Sequence, residues 1–272
     1  MTPLDLPFRC SYELDQRVDK DLVNINQSLY RSLQASLGNS YKLAYAPDGM
    51  PDAVQYYLLY VAALIYGAAD AVLTLVLHNL GREARILERQ VFEYWLRAAY
   101  FVEHPEEARI ALHSTAFQER ALLDQLGYSK DSERYRDIVR VCNEIVESMP
   151  EAAKYREPTV RSIIDPKNNE DLARFYALHY RASSQIAHAS FNGVGGVWSS
   201  DGLSFDSRQA DPNLTLVQVT SYLLAFLTLL DKALGLSPPV NLEMYKEHFL
   251  GIQTRLGLGQ AGKEADSRTQ PA

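Results

Sequence analysis

The sequence predicts an all-α fold, a single helical bundle of about seven or eight helices. Apolar residues recur at helical spacing along most of the 272 residues, and no clear alternating strand pattern appears. The chain is 47% hydrophobic and 22% charged, which is ordinary for a globular protein with a sizeable core. Because no linker divides the chain, we expect one all-helical domain over residues 1–256, followed by a disordered polar tail over 257–272.

The first half of the chain predicts five helices, each bounded by a start or stop signal. An N-cap aspartate, an early proline followed by acids, and closing glycines supply these signals. The five are expected at residues 11–37, closed by Gly38; from the cap Asp52 to just before Gly81; at 82–103; from Pro105 to about Gly127; and at 130–155.

The second half predicts three more helices, at about residues 170–189, 213–234 and 241–256. The stretches 39–51 and 159–169 contain turn residues and are expected to be loops. A Gly/Ser-rich stretch over 192–212 has the length of a functional loop.

Charge and cysteine content narrow the class of protein. The net charge of -7 argues against a general nucleic-acid coat, although a local basic patch remains compatible with it. Cys10 and Cys142 have no metal-binding spacing, and they are most simply reduced thiols. The N-terminus shows no basic segment followed by an apolar one, so we expect no signal peptide and a cytoplasmic protein.

Two segments approach the length of a membrane span, residues 54–77 and 214–230. They are either a transmembrane pair or two central helices of a bundle, apolar nearly all round because other helices surround them. The first is rich in tyrosine and holds Asp70 in its interior, and the second is short and interrupted by polar residues. We therefore expect central helices and no membrane insertion.

The run of residues 180–190 predicts the main candidate site. Tyr180, Ser184 and His188 are four residues apart, and Arg181 stands seven residues before His188. At 100° per residue, seven steps return to within about 20° of the start, so a cation, a hydroxyl and an imidazole share one side of a helix. The alternative is structural, with a core histidine whose hydrogen bonds are satisfied and a serine bonded to its own helix.

A second polar pair, Arg89 and Glu93, falls on the apolar side of the helix predicted at 82–103. Residues four apart adjoin on a helix, and buried charges are costly unless they are paired or used. In the functional interpretation, Glu93 orients His188 or Arg181, or Arg89 binds an anion. In the structural interpretation, the two residues form an internal ion pair that joins helices.

No metal or cofactor motif is present. The sequence lacks HExxH, paired ExxH, GxSxG, P-loop and GxGxxG patterns, and most of its histidines are isolated. We therefore expect neither a metal nor a cofactor.

The chain resembles a bacterial family of uncharacterised helical proteins. In that family an R-x3-E helix, here Arg89 and Glu93, is followed by a helix that begins Pro-Glu-Glu-Ala, here at Pro105. A later helix carries Y-x3-S-x3-H, here the pattern over 180–188, and the similarity spans about 70–196. Such proteins look like distant relatives of the HEPN helical domains, whose signature is R-x4-6-H on a late helix.

The HEPN resemblance implies a function and a set of roles. Many HEPN domains are metal-independent ribonucleases of stress, toxin-antitoxin and phage-defence systems, and others are non-catalytic modules. The resemblance implies an endoribonuclease with RNA as substrate, homodimerisation, and an antitoxin-like protein partner. Arg181 and His188 would be catalytic, Ser184 and Tyr180 supporting, with Arg89 and Glu93 behind them. The alternative is a non-catalytic helical binding module with a buried Arg/Glu/His network.

The chemistry expected of this pair needs no metal, because RNA supplies its own nucleophile, the 2′-hydroxyl. An imidazole titrates near neutral pH, so His188 would take or give the proton. Arg181 would hold the phosphate and stabilise the charge that develops on it.

Overall fold

The computed structural model describes residues 16–40, 52–164, 173, 176, 198–199, 202–203, 211–235 and 241–258, and the fold class is all-α as predicted. Over these residues there are eight α-helices and one 3-10 helix. The helices are α1 Lys20–Ser40, α2 Ala53–Leu77, α3 Gly81–Glu103, α4 Pro105–Gln125, α5 Glu133–Ser148, the 3-10 helix Pro150–Lys154, α6 Val160–Ile163, α7 Pro212–Leu234 and α8 Leu242–Arg255.

A two-stranded antiparallel pair interrupts the helical pattern, which the sequence did not predict. Strand β1, Trp198–Ser199, pairs with β2, Gly202–Leu203, with Trp198 opposite Leu203. Each strand has two residues, so the pair is too short to show the alternation by which strands are recognised. It lies within the loop predicted at 192–212 and leaves the fold class unchanged.

The first helix begins later than predicted. It starts at Lys20 rather than at residue 11, although residues 11–15 lie outside the described part of the chain. The Asp19 carboxylate accepts hydrogen bonds from the backbone N–H groups of Asp21 and Leu22, both at 3.0 Å, and so caps the helix. Gly38 does not close the helix, which continues to Ser40.

The charged helix predicted at 130–155 is shorter and divides in two. The Ser132 hydroxyl accepts a hydrogen bond from the Tyr135 N–H, so the helix begins at Glu133. It ends at Ser148 because Pro150 has no N–H and cannot continue the ladder, and a 3-10 helix follows. A four-residue helix capped by Thr159, α6, lies in the loop expected at 159–169.

Helices α1 and α7 run side by side in the same direction. The backbone N–H of Asp19 donates to the Asn213 side-chain oxygen at 2.8 Å, and the Asn26 amide donates to Thr220 Oγ1 at 3.2 Å. Both bonds join residues 194 positions apart, so the helices keep one register over two turns. Together with α2 and α3 they enclose the main core.

The two apolar helices differ in how they are covered. Both α2 and α7 are long and apolar enough to cross a membrane by length and composition, which is weak evidence because core helices pass the same test. Each helix contains an apolar stretch of 18 residues; 67% of this stretch is buried in α7, but only 39% is buried in α2. The expectation of a surrounded helix therefore holds for α7, whereas α2 has an uncovered face.

Candidate functional site

The sequence-predicted site divides between described and undescribed residues. Tyr180, Arg181, Ser184 and His188 lie outside the described residues, as does their predicted helix apart from positions 173 and 176. The other two predicted residues, Arg89 and Glu93, lie one turn apart on α3. The part of the candidate site that the structure describes therefore lies on α3 and on the helix that packs against it, α7.

Arg89 and Glu93 form an ion pair within α3. Arg89 Nη2 lies 2.9 Å from Glu93 Oε1, and the two side chains are 19% and 23% exposed. At this partial burial the pair is less screened than a surface pair, yet it has not been removed from water. Both the anion-binding and the structural interpretations of the sequence are compatible with this geometry.

A second carboxylate on α3, that of Glu88, is buried far more completely. Glu88 is 2% exposed, and its Oε1 accepts a hydrogen bond of 3.1 Å from the hydroxyl of Tyr222 on α7. Burial, together with the adjacent Glu88 carboxylate, raises the pKa of Tyr222 well above its usual value. Tyr222 therefore stays neutral at physiological pH and remains a hydrogen-bond donor.

Aromatic rings hold Tyr222 in this position. Its ring centroid lies 5.5 Å from that of Phe92 and 6.2 Å from that of Trp95, and the Trp95 ring is nearly parallel to it. These contacts fix the direction of the hydroxyl toward Glu88. The carboxylate and the phenol are thus positioned by packing as well as by their hydrogen bond.

Three arginines lie on one side of α3, at Arg82, Arg85 and Arg89. Their spacing of three and four residues brings them onto adjacent turns, and each is half-buried. Arg85 Nε is buried and has no hydrogen-bond partner among the described residues. Its positive charge lies close enough to Tyr222 to lower the pKa of that hydroxyl, which partly offsets the effect of burial. Guanidinium groups so placed are suited to phosphate and carboxylate oxygens.

Gln218 adds a further polar group to the face of α7 that carries Tyr222. It lies one helical turn before Tyr222 and is 3% exposed. Within the described part of the chain, neither its amide oxygen nor its amide nitrogen has a hydrogen-bond partner. Such atoms are costly to bury, and an internal water is their usual partner. The region between α3 and α7 thus has hydrogen-bonding capacity that the described side chains do not use.

The sequence analysis did not identify Arg82, Arg85, Glu88, Tyr222 and Gln218 as site residues. The arginine spacing on α3 was readable in the sequence, because 82, 85 and 89 share one side of a helix. Nothing in the sequence around Glu88 distinguishes it from the other acids of this helix. Tyr222 and Gln218 lie in an apolar run of the sequence. Nothing near Tyr222 in the sequence indicates that its partner, Glu88, stands 134 residues earlier.

The described residues hold no group of three or more histidine, cysteine, aspartate and glutamate side chains that could bind a metal ion. One of the histidines, His104, stacks on Tyr100 with ring centroids 4.2 Å apart. Its Nδ1 lies 2.9 Å from the Tyr100 carbonyl oxygen, so the ring closes the end of α3.

Comparison with known proteins places the chain in a family without a known function. No curated protein and no solved structure shows significant similarity to it. Glu88 and the three arginines, Arg82, Arg85 and Arg89, form what we call the α3 cluster. A family model described as a family of unknown function, DUF5677, matches residues 55–204, which include both the α3 cluster and the run 180–190. Because the match covers more than half of the 272 residues, the chain belongs to the DUF5677 family.

Proposed function

We propose that the protein is a metal-independent endoribonuclease, HEPN-like in its site, in which Arg181 and His188 act on RNA. The observation that carries the proposal is the ionisable cluster on α3. A carboxylate that is 2% exposed and three half-buried arginines occur together on this helix, and Glu88 is the only charged residue among the buried polar residues of the described chain. Buried charges weaken a fold unless they are compensated, and they concentrate at functional sites.

The arginines of the α3 cluster and the run 180–190 belong to the same matched family region, residues 55–204. Arginines such as Arg82, Arg85 and Arg89 supply the donors that a phosphodiester requires.

The proposed reaction is an intramolecular transesterification. The 2′-hydroxyl attacks the adjacent phosphorus, and the bond from phosphorus to the 5′-oxygen of the next nucleotide breaks. The 2′-hydroxyl loses a proton and the leaving 5′-oxygen gains one; His188 performs one of these two transfers and water the other. Arg181 stabilises the charge on the phosphate oxygens. The products are a 2′,3′-cyclic phosphate and a 5′-hydroxyl.

The remaining parts of the proposal concern supporting residues and partners. Ser184 and Tyr180 support the pair, and Arg89 with Glu93 lies behind it. The protein acts as a cytoplasmic homodimer in bacterial stress or defence, restrained by an antitoxin-like protein partner. These assignments rest on the resemblance described above.

A second candidate is a non-catalytic module that binds a protein partner or a small ligand. Two internal interactions favour this module: the ion pair of Arg89 with Glu93, and the hydrogen bond from Tyr222 to Glu88. Both carboxylates accept from a donor within the same protein, as the members of a structural network do. In this alternative the α3 cluster fixes the packing of α7 and takes no part in a reaction.

The test is RNA cleavage in the presence of a chelator. Wild type, Arg181→Ala and His188→Ala are incubated with single-stranded and structured RNA, with His248→Ala as the matched control because His248 is exposed on α8. We expect cleavage that leaves cyclic phosphate ends, and a loss of about 100-fold or more in the two site variants. Absence of cleavage by folded wild type would overturn the proposal, as would equal cleavage by wild type and His188→Ala.

A further inference from the structure

Helix α2 exposes a line of residues that the rest of the described chain leaves uncovered. These residues, which we call the α2 stripe, are each exposed and are separated by four, three, four, three and four positions. The α2 stripe consists of Tyr56, Tyr60, Ala63, Gly67, Asp70 and Thr74.

The α2 stripe runs straight along one side of the helix. Its five steps cover 18 residues and average 3.6, which is the period of an α-helix, so the composition of the stripe and not its spacing distinguishes it. An ordinary surface helix carries charges on its outer face, but the stripe holds one, Asp70. Two large aromatic side chains, Tyr56 and Tyr60, are 51% and 57% exposed. A face of this composition is characteristic of an interface.

Gly67 gives a second indication. A glycine inside a helix costs about 1 kcal/mol relative to alanine. No atom lies within 4 Å of the position that a Cβ would occupy at Gly67, and its backbone does not have a positive φ. The described chain therefore gives no reason for a glycine here, whereas the close approach of another backbone would.

We propose that the α2 stripe packs against the α2 stripe of a second copy of this chain, antiparallel, about a two-fold axis near residue 65. The positions of the stripe are symmetric about residue 65, which is also the middle of the helix Ala53–Leu77. Ala63 then faces Gly67 of the partner subunit, and Tyr60 faces Asp70 of the partner subunit.

The chemistry of the two ends makes the stripe complementary to itself. The N-terminal end offers two bulky phenols, and the C-terminal end offers a carboxylate and a short hydroxyl, those of Asp70 and Thr74. In the antiparallel arrangement each phenol meets a short polar side chain, and Tyr60 donates to a carboxylate. The small residues at the centre let the backbones approach. A two-fold interface requires this kind of self-complementarity.

The size of the stripe predicts a weak dimer. Its length from residue 56 to 74 is about 27 Å at 1.5 Å per residue. A contact roughly 10 Å wide along it buries on the order of 600 Å² in total, below the ~1,200 Å² of a stable interface. We therefore expect a weak dimer whose population rises with protein concentration, whether or not the protein cleaves RNA.

Sedimentation velocity at increasing protein concentration tests the proposal. We expect the wild-type mass to rise from 30.7 kDa toward twice that value. Ala63→Glu should keep the protein monomeric throughout the same range. Gln55→Glu is the matched control, because Gln55 is exposed on α2 outside the stripe and receives the same charge. The control should dimerise as wild type does.

Cross-linking tests the antiparallel register. In the double variant Ala63→Cys with Gly67→Cys, oxidation should give a covalent dimer, since each introduced thiol faces one of the partner subunit. Wild type treated identically should stay uncross-linked. A wild type that remains monomeric overturns the proposal, as does a dimer that Ala63→Glu leaves intact. Sedimentation of wild type, but not Ala63→Glu, with phosphatidylcholine/phosphatidylglycerol vesicles would assign the face to lipid instead.

Discussion

The hydroxyl of Tyr222 donates a hydrogen bond of 3.1 Å to the carboxylate of Glu88, across the contact between α7 and α3. The two residues are 5% and 2% exposed. The bond joins parts of the chain 134 positions apart, so it forms only when the bundle closes. A buried carboxylate held by a neutral phenol is sensitive to the loss of either partner, which makes the pair a direct test of the α3 cluster.

Tyr222→Phe should destabilise the protein. The substitution keeps the ring packing against Phe92 and Trp95 but removes the donor to Glu88, which leaves the buried carboxylate with one bond fewer. We expect a loss of about 1–3 kcal/mol in the free energy of unfolding, measured by urea denaturation at pH 7. Tyr128→Phe is the control, because Tyr128 is 45% exposed, and its stability should be unchanged. Equal stability of both variants would contradict the assigned role of the bond.

Gln218→Leu should have the opposite effect. It replaces an amide whose oxygen and nitrogen are buried without hydrogen-bond partners among the described residues by an apolar group of similar size. We expect stability to rise by about 1–2 kcal/mol, seen as a higher urea midpoint with an unchanged slope. Gln90→Leu, on the exposed side of α3, should change stability little. A loss of stability in Gln218→Leu would show that the amide has a bound partner, such as an internal water.

The helices were predictable because their signals are local. The cap at Asp52 and the left-handed Gly127 after α4 act within a few residues, and the structure has both. The predicted start of α1 at residue 11 was wrong because the side chain of Asp19 caps the helix, which therefore begins at Lys20.

The candidate site was less predictable because its described contacts are not local. Arg89 and Glu93 are one turn apart, so their pairing follows from helix geometry alone. The partnership of Glu88 with Tyr222 depends on which faces of α3 and α7 meet. Periodicity gives the buried side of each helix but not its neighbour, so this pair could not be found from the sequence.

Tyr155 should contribute to a loss of stability at alkaline pH. Burial, with the nearby charges of Glu107 and Glu157, raises the pKa of Tyr155 from 10.0 to about 12. Between these values the unfolded chain releases the phenolic proton while the folded protein retains it. Stability is therefore independent of this group below pH 10 and falls as the pH rises from 10 to about 12.

The predicted loss of stability at alkaline pH is tested by comparing wild type with Tyr155→Phe. Both are unfolded with urea at pH 7 and at about pH 9.5–11.5. The hydroxyl of Tyr155 is buried without a hydrogen-bond partner among the described residues, so the variant should be at least as stable as wild type at pH 7. Its stability should fall less steeply with rising pH. An alkaline slope identical to that of wild type would exclude the proposed linkage.

A double-mutant cycle on Arg89 and Glu93 separates the structural and functional roles of their ion pair. For a half-buried pair at 2.9 Å we expect a coupling energy of about 0.5–1 kcal/mol between Arg89→Met and Glu93→Gln, from urea denaturation of the four proteins. The same proteins are then assayed for RNA cleavage. If Arg89 assists a phosphate, Arg89→Met should lower the cleavage rate at least 10-fold, and Glu93→Gln should lower it less. If the pair only fixes packing, the rates should follow stability, and the proteins should cleave equally under conditions where all remain folded.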